Sequence, residues 1–146
     1  MSTVSRSALV PFTPRQMFDL VNDVPRYPEF LQWCEGTEVL EDKPDEMLAR
    51  LDLAFSGLRK SFTTRNRLQP GKMIEIRLVD GPFHHLEGFW RFNALANGDA
   101  CKVVLDMEFD FSTPLVKFAF GPVFTQIANS LVDSFSRRAR DLYGNA

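Results

Sequence analysis

Two different repeats of apolar residues divide the chain. Between Thr37 and Phe111 the repeat is two. Met47, Ala49, Leu51, Leu53 and Phe55 alternate with Leu48, Arg50, Asp52, Ala54 and Ser56, and Ile74, Ile76 and Leu78 continue the pattern. Cys101, Val103, Leu105, Met107, Phe109 and Phe111 alternate in turn with Lys102, Asp106, Glu108 and Asp110. Alternation of this kind predicts strands with one buried face. Turn signals at Lys43-Pro44-Asp45, Gly57, Gln69-Pro70-Gly71, Asp80-Gly81-Pro82 and Asn97-Gly98 separate the strands. Connections so short join antiparallel neighbours, so this part reads as a meander of roughly six strands.

After Phe111 the repeat lengthens. Phe120, Phe124, Ile127, Ala128, Leu131, Val132, Phe135, Ala139 and Leu142 fall on one stripe of a 3.6-residue period, with Gln126, Asn129, Ser130, Asp133, Ser134, Arg137, Arg140 and Asp141 opposite. Thr113-Pro114 supplies a cap and a first-turn proline, and Gly144 a stop, so a helix of about 40 Å is predicted. Gly121-Pro122 should kink it, because Pro122 cannot bond back to the carbonyl of Phe118. The Arg137, Arg138 and Arg140 cluster lies toward the negative end of the helix dipole.

The N-terminal third adds a strand, Thr3 to Val10, and a short helix opened by the capping box Thr13-Pro14-Arg15-Gln16 and carrying Met17, Phe18, Leu20 and Val21. Two prolines then bracket an aromatic segment, Val24 to Cys34, that has room for a helical turn or two. The whole is an α+β chain: a curved antiparallel seven-strand sheet wrapped around a long C-terminal helix, with two short helices between strands 1 and 2, in one domain over residues 1–146. One helix does not fill so large a concave face. A gap is expected near its kinked start, roofed by Tyr27 to Trp33; the alternative is that the fourteen phenylalanines fill the core completely.

Composition narrows the function classes. With 146 residues, 45% apolar and 25% charged, the chain is an ordinary globular domain, and a net charge of -2 provides no general attraction to nucleic acid or anionic membrane. Cys34 and Cys101 form no CxxC pair, the first ten residues lack the apolar run of a secretory signal, and no segment reads as long enough to span a bilayer. A cytoplasmic address follows, with the periphery of the inner membrane as its variant for a lipid-binding protein.

Catalytic and metal motifs are missing: there is no HExxH, GxSxG, phosphate-cradling glycine loop or Cys/His ligand spacing. His84 and His85 are strand neighbours that face opposite ways, and Glu87 with Arg91, near Asp80, reads as a surface ion pair. On one strand Lys60, Thr64 and Asn66 share a face with Leu58, Phe62 and Leu68. Those polar groups would either position the head group of a ligand or mark a short edge strand kept soluble by charge. Arg59, Arg65 and Arg67 on its other face, and Arg137, Arg138 and Arg140 at the helix end, are the candidates for contacting RNA phosphates, against solvated charge as the plain alternative.

Val24-Pro25, Tyr27-Pro28, Phe30-Leu31, Trp33-Cys34, Phe62-Thr63-Thr64-Arg65-Asn66, Val79-Asp80-Gly81-Pro82-Phe83, Gly88 with Trp90 and Phe92, and Phe118-Ala119-Phe120-Gly121 with Val123-Phe124 run through nearly the whole chain. Together they resemble the coenzyme-Q-binding branch of the START-like, helix-grip superfamily, whose bacterial members include ribosome-association toxins. Gln32 stands where many relatives have proline, which touches only the local turn. The resemblance implies non-catalytic binding of ubiquinone or a related isoprenoid lipid between sheet and helix, in support of respiratory electron transport. Tyr27, Phe30, Leu31, Trp33, Phe62, Trp90, Phe92 and Phe118 would then line the tail-binding cavity. It also implies an alternative, a translation inhibitor that binds the large ribosomal subunit through Arg59, Arg65, Arg67, Arg137 and Arg138 and blocks subunit joining. A polyketide cyclase-like enzyme is the third reading, for which the sequence shows no acid or base. Beyond a bound quinone or lipid no cofactor, metal or DNA partner is expected.

Overall fold

The computed structural model describes residues 1–144. Seven strands form one antiparallel sheet: β1 (Ser2–Val10), β2 (Cys34–Lys43), β3 (Glu46–Phe55), β4 (Leu58–Gln69), β5 (Met73–Asp80), β6 (Phe83–Leu95) and β7 (Ala100–Phe111). Their order, β1-β7-β6-β5-β4-β3-β2, is a meander from β2 to β7 with β1 added beside β7. Val4 opposite Met107 and Val10 opposite Cys101 set that last register, so the buried positions of both strands share the concave face. The edges are therefore β1 and β2. β4 lies inside the sheet between β3 and β5, which removes the reading of it as a charged edge strand.

Helix α1 (Pro14–Asn22) begins at the capping box read from the sequence: the Gln16 N–H donates to Thr13 Oγ1 at 3.0 Å and the Thr13 N–H to Gln16 Oε1 at 2.9 Å. A short 3-10 helix follows at Val24–Glu29, and the Tyr27 hydroxyl donates to the Val21 carbonyl, tying it back onto α1. The long helix, α2 (Pro114–Tyr143), opens where the Val116 N–H donates to Thr113 Oγ1 at 3.1 Å. It runs through Gly121-Pro122 without dividing, because Pro122 and Phe118 lie on the solvent side, where a carbonyl without its helical partner is hydrated.

Seven residues of the predicted stripe, Phe120, Phe124, Ile127, Ala128, Val132, Phe135 and Ala139, are buried against the sheet. Leu131 is half-buried, and Leu142, expected inside, is exposed; Tyr143 packs instead, 5.8 Å from the ring of Phe12. Burial of side chains of this kind is worth about 1.5–3 kcal/mol each as an upper estimate, so α2 belongs to the core and is not an appendage. That role also corrects the length argument about membranes. By length and composition α2 would reach across a bilayer, but here its stripe covers the sheet.

Gly81 is the turn position with no substitute. Its φ of +153° lies outside the range of L side chains, and an added Cβ would stand 2.6 Å from Cβ of Phe62.

Candidate functional site

Alternation along β3 to β7 and the middle turns of α2 converge on an internal cavity of about 80 Å³. Its walls include Ala49, Leu51 and Leu53 of β3, Phe62, Thr64 and Asn66 of β4, Trp90 of β6, and Phe124, Ile127, Ala128, Leu131 and Phe135 of α2. Tyr27 and Trp33 close one side. Four of the eight predicted cavity residues are thus brought together: Tyr27, Trp33, Phe62 and Trp90.

The other four lie elsewhere. Phe118 is 83% exposed, because a residue two places before Phe120 points about 200° away around a helix. Phe92 is buried beneath α1, with its ring 5.9 Å from that of Phe18. Phe30 and Leu31 face a separate shallow groove with Phe55, Ser134 and Arg137, and Phe30 packs on Phe135 at 5.4 Å. The gap is also displaced from the expected place. At the start of α2 the rings of Phe62, Phe83, Phe109, Phe111, Phe120 and Phe124 pack together, with Phe83 and Phe124 4.8 Å apart, so the opening lies further along the helix. Residues such as Ile127, Ala128 and Leu131 were legible as an apolar stripe but not as cavity wall, since period alone does not show what stands opposite.

Two polar side chains interrupt this apolar lining. Thr64 and Asn66 are 4% and 9% exposed, two residues apart on the concave face of β4, as the alternation predicted. The Thr64 hydroxyl donates to Asn66 Oδ1 at 3.0 Å, the one hydrogen bond that either side chain makes among the described residues. The Asn66 amide nitrogen is left without a protein partner, as is the buried indole N–H of Trp33. The Trp33 N–H, fully buried, costs about 1–3 kcal/mol if nothing meets it. The wall carries no carboxylate, imidazole, amine or thiol; its titratable group is the Tyr27 phenol, already donating to Val21 and pushed well above its ordinary value by burial. Proton transfer near neutral pH has no side chain here to perform it.

At about 80 Å³ the cavity is smaller than the roughly 300–1,000 Å³ usual for pockets that enclose drug-sized ligands.

On the convex face, His85 Nε2 lies 3.1 Å from Glu108 Oε1 and 3.9 Å from Glu87 Oε2, and the three ligand atoms fall within 4.8 Å of one another, a group able to hold a metal ion. Sequence spacing missed it, because Glu87 and Glu108 meet only through the β6–β7 register. Glu87 does not pair with Arg91: it holds Arg77 at 3.0 Å, and Arg91 holds Asp106 at 3.2 Å.

The arginines are divided too. Arg59 pairs with Glu35 at 3.3 Å, Arg65 with Glu41 and Glu46 at 3.3 and 3.1 Å, and Arg138 with Glu29 at 2.8 Å beneath the ring of Phe30. Arg67 and Arg137 are exposed and form no ion pair among the described residues.

A curved antiparallel sheet gripping one long C-terminal helix, with an apolar hollow between them, defines the START-like helix-grip class. The same fold recurs in an aromatase/cyclase from Streptomyces sp. R1128, with a TM-score of 0.84 at 17% identity over 99% of this chain and 98% of that one. An 18 kDa protein from Caulobacter crescentus has a TM-score of 0.75 at 33% identity over 99% of both chains. The chain belongs to the polyketide cyclase / dehydrase and lipid transport family, whose model matches residues 10–136. It is 54% identical to the Pseudomonas aeruginosa protein named ribosome association toxin RatA, over 99% of this chain and 100% of that one. The Vibrio cholerae protein of the same name is 50% identical over 99% of both. The mitochondrial coenzyme Q-binding protein COQ10 homolog B of Xenopus laevis is 29% identical over 96% of this chain and 59% of its own length.

Proposed function

We propose that this protein is a non-catalytic inhibitor of translation that binds the large ribosomal subunit and keeps the small subunit from joining it. The observation that carries the reading is end-to-end similarity, at 54% identity, to a protein named for ribosome association. The coenzyme Q relative is more distant, at 29%, and the cavity, at about 80 Å³, is small beside the usual ligand pocket, which is why the ribosome is put ahead of the lipid. Arg67 and Arg137, exposed and without ion pairs among the described residues, are the cations best placed to meet RNA phosphates.

Sedimentation of ribosomes through a sucrose gradient tests this. With purified protein added, intact ribosomes should fall, free subunits should rise, and the protein should travel with the large subunit. Reversing charge at both sites, Arg67→Glu with Arg137→Glu, should weaken binding and flatten its salt dependence by roughly two phosphate contacts. An unchanged ratio of subunits to intact ribosomes, with the protein left at the top of the gradient, would overturn the proposal.

A further inference from the structure

We infer that His85, Glu87 and Glu108 form a binding site for one zinc-like divalent metal ion, on the convex face of the sheet and away from the hollow. The β6–β7 register builds it. His85 and Glu87 are two residues apart on β6 and so share a face, and Glu108 of β7 stands directly opposite Glu87. One imidazole and two carboxylates are thereby brought together, with ligand atoms within 4.8 Å of one another. Around a tetrahedral zinc ion, with bonds of about 2.1 Å, ligand atoms lie about 3.4 Å apart. His85 Nε2 is 3.1 Å from Glu108 Oε1 and 3.9 Å from Glu87 Oε2, which brackets that spacing. Coordination therefore asks for changes in side-chain torsions and none in the strands.

The surrounding charges favour a cation. Like charges directly opposite on neighbouring strands repel, and Glu108 has no lysine or arginine partner among the described residues. Arg77 balances only Glu87: it holds Oε1 at 3.0 Å, and the other oxygen, Oε2, is the one nearest His85. A carboxylate fixed by an outer partner is the usual arrangement at a metal. The imidazole then selects the ion. Magnesium and calcium take oxygen ligands, whereas zinc accepts nitrogen and oxygen together. Nε2 of the neutral ring supplies the lone pair, with the ring proton on Nδ1. Three protein ligands leave a position open to water, and side chains 21% to 46% exposed are reached directly from solvent. The site rests on cross-strand geometry alone and would stand if the ribosome reading fell.

Calorimetric titration of the full, untagged chain with zinc chloride, and separately with magnesium chloride, tests the inference. Zinc should bind saturably at one ion per chain, with magnesium at least about tenfold weaker, and zinc should raise the thermal unfolding midpoint. His85→Ala should weaken zinc at least about tenfold, since losing an outer partner alone costs about 10–100-fold. Glu108→Gln, which keeps the shape of the side chain, should do the same and decides the matter if His85→Ala fails to fold. His84→Ala, at the neighbouring histidine outside the set, should leave binding unchanged. Absence of saturable zinc binding, an equal loss in His84→Ala and His85→Ala, or zinc affinity that survives both His85→Ala and Glu108→Gln would overturn the inference.

Discussion

The first turns of α2 and its middle turns rest on the same curved sheet, yet one contact is solid and the other hollow. At the start, Phe120 and Phe124 enter a group of rings from β4, β6 and β7, with Phe124 4.9 Å from Phe109 and 4.8 Å from Phe83 in edge-on arrangements. One turn further, Ile127, Ala128 and Leu131 look toward Ala49, Thr64 and Asn66, which are short or polar. Sheet curvature is common to both places. What differs is the side chain the register sets opposite the helix, and the cavity is the shortfall of volume at that point. Phe62 and Phe124 belong to both regions, so the packed end forms one wall of the hollow end.

The most damaging test of this contrast is Phe124→Ala. It should cost about 3–5 kcal/mol, because it removes a buried ring from a group that has no room to collapse, and denaturant unfolding with an unchanged m-value would show it. A loss below about 1 kcal/mol would mean the aromatic end is not closely packed. Next comes Gly81→Ala, which forces a side chain into φ +153° and against Phe62. Strain of that kind costs about 1–3 kcal/mol, again read by unfolding. The effect should fall on the Phe62 wall shared by both regions, so the Asn66 amide resonance should move as well.

A finer test applies one substitution twice. Ala128 and Ala139 are both buried on α2, but Ala128 borders the cavity and Ala139 does not. Changing either to valine carries the same helix-propensity penalty, of a few tenths of a kcal/mol to about 0.7. At Ala139 the extra methyls meet filled space and should add about 1–3 kcal/mol of overpacking. At Ala128 they enter the void, so Ala128→Val should be near neutral. Equal losses at the two sites would show that the hollow is not available volume.

These contrasts mark the limit of what the sequence revealed. Alternation placed Thr64 and Asn66 on the concave face correctly, and the 3.6-residue stripe of α2 was right at seven of its nine positions. Periodicity identifies a face and is silent about the partner across from it. It therefore put the gap at the proline, where the rings of β6 and β7 in fact fill the space. Phe118 was assigned to the cavity by its neighbourhood in sequence, although its helical angle sends it outward. The His85, Glu87 and Glu108 group was invisible for the same reason as the cavity: it exists only through cross-strand register.

The two cysteines give the smallest effect. Both are buried, and burial pushes each thiol from 9.0 up to about 11. Because the folded value is the raised one, protonated thiols favour the folded state fully below pH 9, and that contribution is lost as pH rises through about 11. Near pH 8 neither should react with an aromatic disulfide reagent in the closed native state, since the thiolate is the nucleophile. Reaction then proceeds through local opening, and the two sites differ in how they open. Cys34 begins the edge strand β2, beside a register shift at Gly36 and next to the cavity residue Trp33. Cys101 is held on both sides, opposite Val10 of β1 and Ala94 of β6. Edges and irregular pairings open at lower free energy than strands paired on both sides, so Cys34 should be labelled first at pH 8, followed by mass spectrometry of the two peptides. If Cys101 were labelled as fast, the side of the sheet around β1 and β7 would be no firmer than the side around the hollow, and the contrast between the two halves of α2 would not extend into the strands beneath them.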